Sequence, residues 1–179
     1  TILDEFGYDV LNSHKGTVLL DSSKSNVANC LNGVEECDVF IGFIRPDYGS
    51  GVLAIGAKSI THQEFDTAVV RNIPRFVMAD TRVAFARSLI RKATIDIPNL
   101  GIHFHTNSSN INFNDSKVMD IRSVQLYEEM IKNKIPPMDR KGNWVQEYTS
   151  LEDVILHLDS QFKYPNRIQN LITKMKTLP

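Results

Sequence analysis

The sequence has no excess of charge of either sign and no long apolar run. Its 20 basic and 21 acidic residues leave a formal net charge of -1, so it offers no electrostatic attraction to nucleic acid or to an anionic membrane. No stretch approaches the ~20 apolar residues of a membrane span, and no signal-peptide pattern opens the sequence. We therefore expect a cytoplasmic protein with no nucleic-acid partner and no membrane partner.

Cysteine and tryptophan are also scarce. The two cysteines, Cys30 and Cys37, lie in a stretch whose apolar residues recur at helical spacing. Two helical turns separate them by about 10 Å, which is too far for a disulfide. The pattern predicts two reduced thiols on the apolar face of a helix in a cytosolic protein. The single tryptophan, Trp144, is predicted to anchor the core.

The sequence does contain an alternation of strand-like and helical segments. Two short apolar runs, residues 39–44 and 75–78, are typical of strands that are covered on both faces, as in a parallel sheet. One amphipathic helix, predicted from Ile60 to Arg71, lies between them. With 179 residues, of which 42% are hydrophobic, the chain fits one compact α/β domain with a substantial core.

Helical spacing and capping residues predict the other elements. The predicted helices are one capped by Ser25, one over 83–92, one capped by Asp115 or Ser116 that runs to Lys132, one capped by Ser150, and a basic one over 165–176. The sequence WVQEY, residues 144–148, is strand-like. We expect a single domain over residues 1–179, in which residues 164–179 form an appended C-terminal helix.

The first residues raise a separate expectation. The sequence TILDEFGYDVL is typical of the end of a helix followed by a short strand at Tyr8 to Leu11. A doubly wound sheet usually begins with a strand whose C-terminal loop helps to form the ligand crevice. We therefore expect a strand before Thr1 that pairs with residues 39–44, which would make the domain N-terminally incomplete.

A glycine-bearing loop, residues 45–58, follows the first predicted strand. Ligands of open α/β sheets bind at this end of the strands. The loop contains Gly49, Gly51 and Gly56, which would let backbone N–H groups approach a phosphate. The start of the next helix also favours an anion. Arg45 and Lys58 are candidate phosphate contacts, and Tyr48 is a candidate for stacking on a base or ribose.

Three stretches of the sequence resemble a known family. They are VEECDVFIGFIRPDYGS, SITHQEFDTA and IPRFVMAD, supported further on by VQLYEEMI and RKGNWVQEY. Together they resemble a TIR-like domain of unknown function that heads many NACHT/STAND-type NTPases and occurs among prokaryotic defence proteins. The resemblance covers about residues 5–162, and it implies a flavodoxin-like parallel sheet flanked by helices.

The resemblance also implies an activity. TIR domains and nucleoside deoxyribosyltransferases use a Glu at the start of the corresponding helix to cleave N-glycosidic bonds, and the matching residue here is Glu64. The loop and the start of the helix supply the candidate substrate-binding residues, which are Arg45, Asp47, Tyr48, Gly49, Ser50 and Thr61. We expect the carboxylate of Glu64 to line a crevice with the loop 45–50, and the helix N-terminus to keep it ionised. It would then stabilise or attack an oxocarbenium-like transition state.

Structural interpretations of the same residues remain open. Thr61-His62-Gln63-Glu64 also fits a capping box, in which Glu64 would satisfy a backbone N–H and take no part in chemistry. Asp47-Tyr48-Gly49 is also typical of a turn. His103 and His105 would share a face of a strand, but no third ligand with metal spacing accompanies them, so we expect no metal site.

Two classes of function follow. The first is an effector that cleaves the N-glycosidic bond of NAD, or of a related nucleotide, in defence or signalling. NAD would be its substrate, and it would need no cofactor. The second is a non-enzymatic TIR-like module for self-assembly, protein interaction or binding of a nucleotide signal. In both cases we expect homo-oligomers and fusion to, or association with, other defence or signalling domains.

Overall fold

The computed structural model describes residues 1–51, 57–93, 119–140, 142 and 144–177. Its helices are α1 (Ile2–Glu5), α2 (Asn26–Glu36), α3 (Ile60–Val70), α4 (Thr81–Ala93), α5 (Ile121–Met130), α6 (Leu151–Phe162) and α7 (Pro165–Lys176). The strands are β1 (Phe40–Ile44), β2 (Arg75–Asp80) and β3 (Val145–Tyr148). Two short 3-10 turns lie at Ser13–Lys15 and Pro137–Asp139.

The three strands form one parallel sheet in the order β1-β2-β3. Gly42 of β1 faces Val77 of β2, and Val77 faces Val145 of β3. The parallel pairing of the two apolar runs and the mixed α/β class are confirmed. With helices on both faces, the arrangement is consistent with a flavodoxin-like fold. Within the described residues β1 pairs with β2 alone.

Alternate residues of the strands enter two separate cores, because successive side chains of a strand point to opposite faces of the sheet. In β2, Val77 and Ala79 join one core, whereas Met78 joins the other. The first core lies under α2, α3, α4 and α5, and the second lies under α6 and α7, with residues of α1 packed against it. This double coverage explains why both strands are continuous apolar runs.

One close approach fixes how α3 lies on the sheet. A Cβ atom added to Gly42 would lie 2.4 Å from the ring of Phe65. Phe65 is fully buried and packs edge-on against Phe40. Only glycine at the middle of β1 leaves room for this ring, so α3 sits directly over the strand.

Most of the predicted helix starts are confirmed. Ser25 and Ser150 cap α2 and α6, and α7 begins at Pro165. The start predicted for α5 is wrong: the capping side chain is that of Asp120, which accepts a hydrogen bond from the backbone N–H of Arg122. Asp115 and Ser116 lie outside the described residues.

Two further predictions need correction. Tyr8–Leu11 is not a strand; Tyr8 instead packs on α6, donating its hydroxyl proton to the carbonyl of Phe162. Trp144 is 74% exposed and does not anchor the core. It precedes β3, and its ring nitrogen donates to Gln146 instead of packing inward.

His103 and His105, for which the sequence predicts no metal site, lie outside the described residues, as does Gly56. Among the helices that the structure describes, none is long and apolar enough to cross a bilayer.

Candidate functional site

The loop after β1 packs closely on the first turn of α3. Gly49 and Gly51 adopt φ angles of +95° and +83°, which favour glycine. A Cβ on Gly51 would lie 2.5 Å from the side chain of Ile60, and the N–H of Ile60 donates to the carbonyl of Ser50 at 3.0 Å. The glycines therefore bring the loop against the helix, and Ser50 satisfies one of the N–H groups that an anion would otherwise bind.

The same loop is attached to the start of α5. The carbonyl of Pro46 accepts a hydrogen bond from the N–H of Asp120 at 2.8 Å. The guanidinium of Arg122 lies over the ring of Tyr48, 4.6 Å from its centroid. The loop is thus held between α3 and α5 by backbone and side-chain contacts.

Tyr48 is an interior residue of this arrangement. It is 7% exposed, and its hydroxyl forms a hydrogen bond with Nδ1 of His62. Arg122 covers one side of its ring. These contacts favour a structural role for Tyr48, and its predicted stacking on a base or ribose stays a prediction.

Arg45 and Asp47 lie on the exposed side of the loop. Their side chains pair with each other at 3.0 Å, and both are more than half exposed. Asp80, at the end of β2, binds Arg82 in a second pair at 2.6 Å. Hydrogen bonding from Arg82 lowers the pKa of the Asp80 carboxyl. The carboxyl edge of the sheet therefore carries charges of both signs that already bind each other.

Ser59, and not Thr61, caps α3. Its hydroxyl oxygen accepts from the N–H of His62 at 3.2 Å. Glu64 consequently lies in the second turn of the helix, where no capping box can include it. The capping interpretation of Glu64 is wrong, because the helix begins two residues earlier than that interpretation requires.

Glu64 lies on the flank of α3 that packs against α2. It is partly buried, and burial raises its pKa to about 7. Within the described residues its carboxyl forms no hydrogen bond or ion pair. Burial raises the pKa of the Cys30 thiol on α2, and the charge of Glu64 raises it further. The expectation that the helix N-terminus keeps Glu64 ionised is wrong, because desolvation outweighs the helix dipole.

Thr61 connects Glu64 to the glycine loop. It lies one turn before Glu64 on α3, and its Oγ1 would be 3.2 Å from a Cβ on Gly49. The structure thus brings the predicted site residues Gly49, Ser50 and Thr61 together around the start of α3. Arg45 and Asp47 form their own pair at the sheet edge.

The opposite flank of α3 carries a polar cluster that the sequence did not reveal. Nε2 of His62 lies 2.9 Å from Oε2 of Glu129 on α5 and 4.0 Å from Oδ1 of Asp66. Nζ of Lys58 lies 2.7 Å from Oδ2 of Asp66 and 3.9 Å from Oε2 of Glu129. The His62–Asp66 spacing of four residues on one helix was a usable signal, but Glu129 is 67 residues away along the chain.

A repeated motif was also missed. Asp80-Thr81-Arg82 and Asp120-Ile121-Arg122 begin α4 and α5 in the same way. In each, the carboxylate accepts a backbone N–H at 2.9 Å and the guanidinium of the same arginine at 2.6 Å. The spacing Asp-x-Arg before a helical pattern could have predicted both starts.

One surface cavity of about 450 Å³ lies between β3 and α6. Its walls are formed by Gln146, Glu147, Thr149, Asp153, Leu156, His157 and Ser160. None of the predicted site residues lines it. The cavity therefore gives no support to a ligand pocket at Glu64.

Comparison with known families gives one match. A domain family of unknown function, DUF4062, matches residues 2–162. The chain is a member of the DUF4062 family. No curated protein and no solved structure matches it. The match covers α1 to α6 and leaves α7 outside, so the DUF4062 domain contains the whole sheet, the loop after β1 and both flanks of α3.

Proposed function

We propose that this domain cleaves the N-glycosidic bond of NAD or of a related nucleotide, as a TIR-like effector in defence or signalling. The observation that carries the proposal is the state of Glu64. A partly buried carboxyl without a polar partner among the described residues, and with a pKa of about 7, destabilises the folded protein at neutral pH, which is a cost that a catalytic use would explain. Such groups are concentrated at functional sites.

The reaction suits a carboxyl of this kind. The bond between the anomeric carbon and the base nitrogen breaks, and its electron pair leaves with nicotinamide as a neutral molecule. The anomeric carbon becomes cationic, and the ionised carboxylate of Glu64 stabilises it across a poorly hydrated gap. A water oxygen then bonds to that carbon and loses one proton to solvent. A cationic nicotinamide ring would itself favour ionisation of Glu64 when the substrate binds.

The loop residues supply the remaining roles in this proposal. Arg45 binds phosphate oxygens after leaving Asp47; an exposed pair of this type contributes less than about 1 kcal/mol, so little opposes the exchange. Thr61 orients Glu64 from one helical turn away. Gly49 and Ser50 present the loop backbone to the substrate.

The test is incubation of the purified protein with NAD, followed by chromatography for nicotinamide. Assembly completes the site in many TIR-like enzymes, so a series of protein concentrations is required. We expect turnover by the parent and by Glu35→Gln, an exposed glutamate on α2, and at least a 100-fold loss in Glu64→Gln, since only the charge at the reacting carbon is removed. Equal turnover by the parent and Glu64→Gln would contradict the proposal.

The pH dependence of that turnover gives a further prediction. The active form is the carboxylate, and the pKa of Glu64 in the free protein is about 7. We therefore expect kcat/KM to rise with pH from 5.5 and to level off above about 8. A profile that falls through pH 7 would instead identify Glu64 as a general acid that protonates a leaving base.

The second candidate is a non-enzymatic TIR-like module that self-assembles, binds other proteins or binds a nucleotide signal. The internal contacts of the loop favour it: Tyr48 bonds His62, and Ser50 bonds the backbone of Ile60. This candidate predicts NAD binding or concentration-dependent oligomers without release of nicotinamide. Neither the binding nor the assembly should change in Glu64→Gln.

A further inference from the structure

The cluster on the other flank of α3 has the composition of a metal site. It contains one imidazole and two carboxylates, from His62, Asp66 and Glu129, and one ligand atom from each lies within 4.8 Å of the other two. Two of the ligands come from α3 and the third from α5. A cation bound to all three would join these two helices.

We propose that His62, Asp66 and Glu129 bind a divalent cation of the zinc class. Ligand atoms about 2.1 Å from a tetrahedral zinc ion lie roughly 3.4 Å apart. Nε2 of His62 and Oε2 of Glu129 are 2.9 Å apart, and Oδ1 of Asp66 is 4.0 Å from Nε2. Movements of less than about 1 Å would therefore bring the three ligand atoms to bonding distance from one zinc ion. Both carboxylates lie at the surface, where their side chains are free to move by this amount.

His62 is prepared for this role by its surroundings. Its side chain is 4% exposed, and Tyr48 bonds Nδ1 from the interior. Nε2 lies at hydrogen-bond distance from a carboxylate oxygen of Glu129, and Nε2 carries the proton of this bond because a carboxylate only accepts. A cation requires the other tautomer, in which the proton is on Nδ1 and is donated to the oxygen of Tyr48, while Nε2 offers its lone pair to the cation. A hydrogen bond to the non-coordinating nitrogen is the usual device that fixes a metal-binding histidine.

Lys58 lies at the edge of the site, close to both carboxylates. Its ammonium lies 2.7 Å from Oδ2 of Asp66, whereas Oδ1 is the oxygen directed toward His62. Asp66 can thus hold Lys58 with one oxygen and a cation with the other. Nζ of Lys58 is also 3.9 Å from Oε2 of Glu129. The positive charge of Lys58 therefore weakens binding of the divalent cation, and removing that charge should strengthen the binding.

The ligand set selects the class of cation. An imidazole nitrogen favours zinc and its transition-metal neighbours over magnesium and calcium, which prefer oxygen ligands alone. Three protein ligands at an exposed position leave the fourth to water. Glu64 lies two residues from His62, about 200° around the helix, so this site is separate from the proposed catalytic carboxyl. Either proposal can therefore fail without the other.

The test is calorimetric titration of the metal-stripped protein with Zn²⁺, with Co²⁺ absorption spectra as a second readout. We expect one Zn²⁺ per chain, and a tetrahedral Co²⁺ spectrum. Affinity should fall at least 10-fold in Asp66→Asn and in Glu129→Gln, and about 10-fold in Tyr48→Phe. Lys58→Met should bind several-fold more tightly. Titrations with Mg²⁺ and Ca²⁺ should show much weaker binding.

Two matched controls separate this site from others. Glu35→Gln removes one exposed carboxylate, and the double variant His103→Gln/His105→Gln removes the other candidate histidines; both should bind Zn²⁺ as the parent does. No stoichiometric Zn²⁺ binding by the parent, or affinity unchanged in Asp66→Asn and Glu129→Gln, would overturn the proposal. Because both carboxylates are at the surface, these variants should fold, and circular dichroism checks that they do.

Discussion

The two flanks of helix α3 treat their charged groups in opposite ways. On the side facing α5, each polar side chain of the cluster has a partner: His62 bonds both Tyr48 and Glu129, and Lys58 bonds Asp66. On the side facing α2, Glu64 is partly buried without a polar partner among the described residues, and its pKa rises to about 7. At neutral pH the charges on the flank facing α5 are therefore paired, whereas the carboxyl on the flank facing α2 is desolvated and unpaired among the described residues. We call the flank facing α5 the satisfied flank.

The two flanks are expected to affect the stability of the protein in opposite ways. A satisfied cluster that connects two helices and a loop contributes to stability, and losing one member leaves others unpaired. A desolvated carboxyl reduces stability, so its removal should improve folding while removing any chemistry that depends on it. Measurements on the two flanks should therefore change in opposite directions.

The largest effect is expected on the satisfied flank. His62→Ala removes a buried ring and leaves the buried hydroxyl of Tyr48 without its partner, whereas the half-exposed Glu129 keeps Lys58 at 3.9 Å. We expect a loss of about 2–4 kcal/mol in the free energy of unfolding, from the cavity and the unpaired hydroxyl together. Urea denaturation at pH 7 measures it. A loss below about 0.5 kcal/mol would show that the cluster does not hold α3 to α5.

A smaller effect of opposite sign is expected at Glu64. The folded-state pKa of about 7 exceeds the ordinary value of 4.5, so the folded protein holds its proton more tightly than the unfolded chain does. The associated stability is fully present below pH 4.5 and is lost as pH rises through 7. The two pKa values bound the loss at about 3 kcal/mol, and partial exposure of the carboxyl reduces it to about 1–2 kcal/mol.

Glu64→Gln isolates this effect, because glutamine keeps the shape and stays neutral. At pH 8 the variant should be more stable than the parent by about 1–2 kcal/mol, and the difference should shrink toward pH 5. Glu35→Gln, on the exposed side of α2, is the control and should show no such trend. Parallel curves of stability against pH for the parent and Glu64→Gln would contradict this prediction, because they would show that the pKa of Glu64 does not change on folding.

The smallest effect is expected at the rim of the satisfied flank. Lys58 and Asp66 form an ion pair at 2.7 Å, but both side chains are more than 40% exposed. We expect Lys58→Met to lower the free energy of unfolding by less than about 1 kcal/mol, and the effect to weaken in 0.5 M NaCl. A larger loss that persists at high salt would show that this pair, and not His62, supports the cluster.

Local sequence patterns predicted the sheet and most helix starts. The apolar runs at 39–44 and 75–78 became β1 and β2 because both faces of the sheet are covered. Ser25 and Ser150 were identified as caps because the capping bond closes within three residues. Such features depend on interactions between residues that are close along the chain, so the sequence alone is enough to predict them.

The arrangement around α3 depends on distant residues, so the sequence did not predict it. His62 meets Glu129 only because the fold brings the end of α5 near the start of α3, and Tyr48 is covered only because Arg122 lies in the first turn of α5. The direction of the Glu64 pKa shift was mispredicted for the same reason: packing against α2 removes water that would have stabilised the carboxylate, and the helix dipole does not make up for this loss. Exposure of Trp144 likewise depends on which elements cover the start of β3.

Desolvation of the Glu64 carboxyl, which raises its pKa to about 7, underlies both the proposed chemistry and the contrast between the two flanks. Its most direct test is an NMR titration of the protein with ¹³C-labelled glutamate carboxyl groups, in which Glu64→Gln assigns the signal. We expect a titration midpoint of about 7 for Glu64, against the ordinary value of 4.5. A midpoint near 4.5 would contradict it, because the carboxyl would then be as well solvated as any surface glutamate.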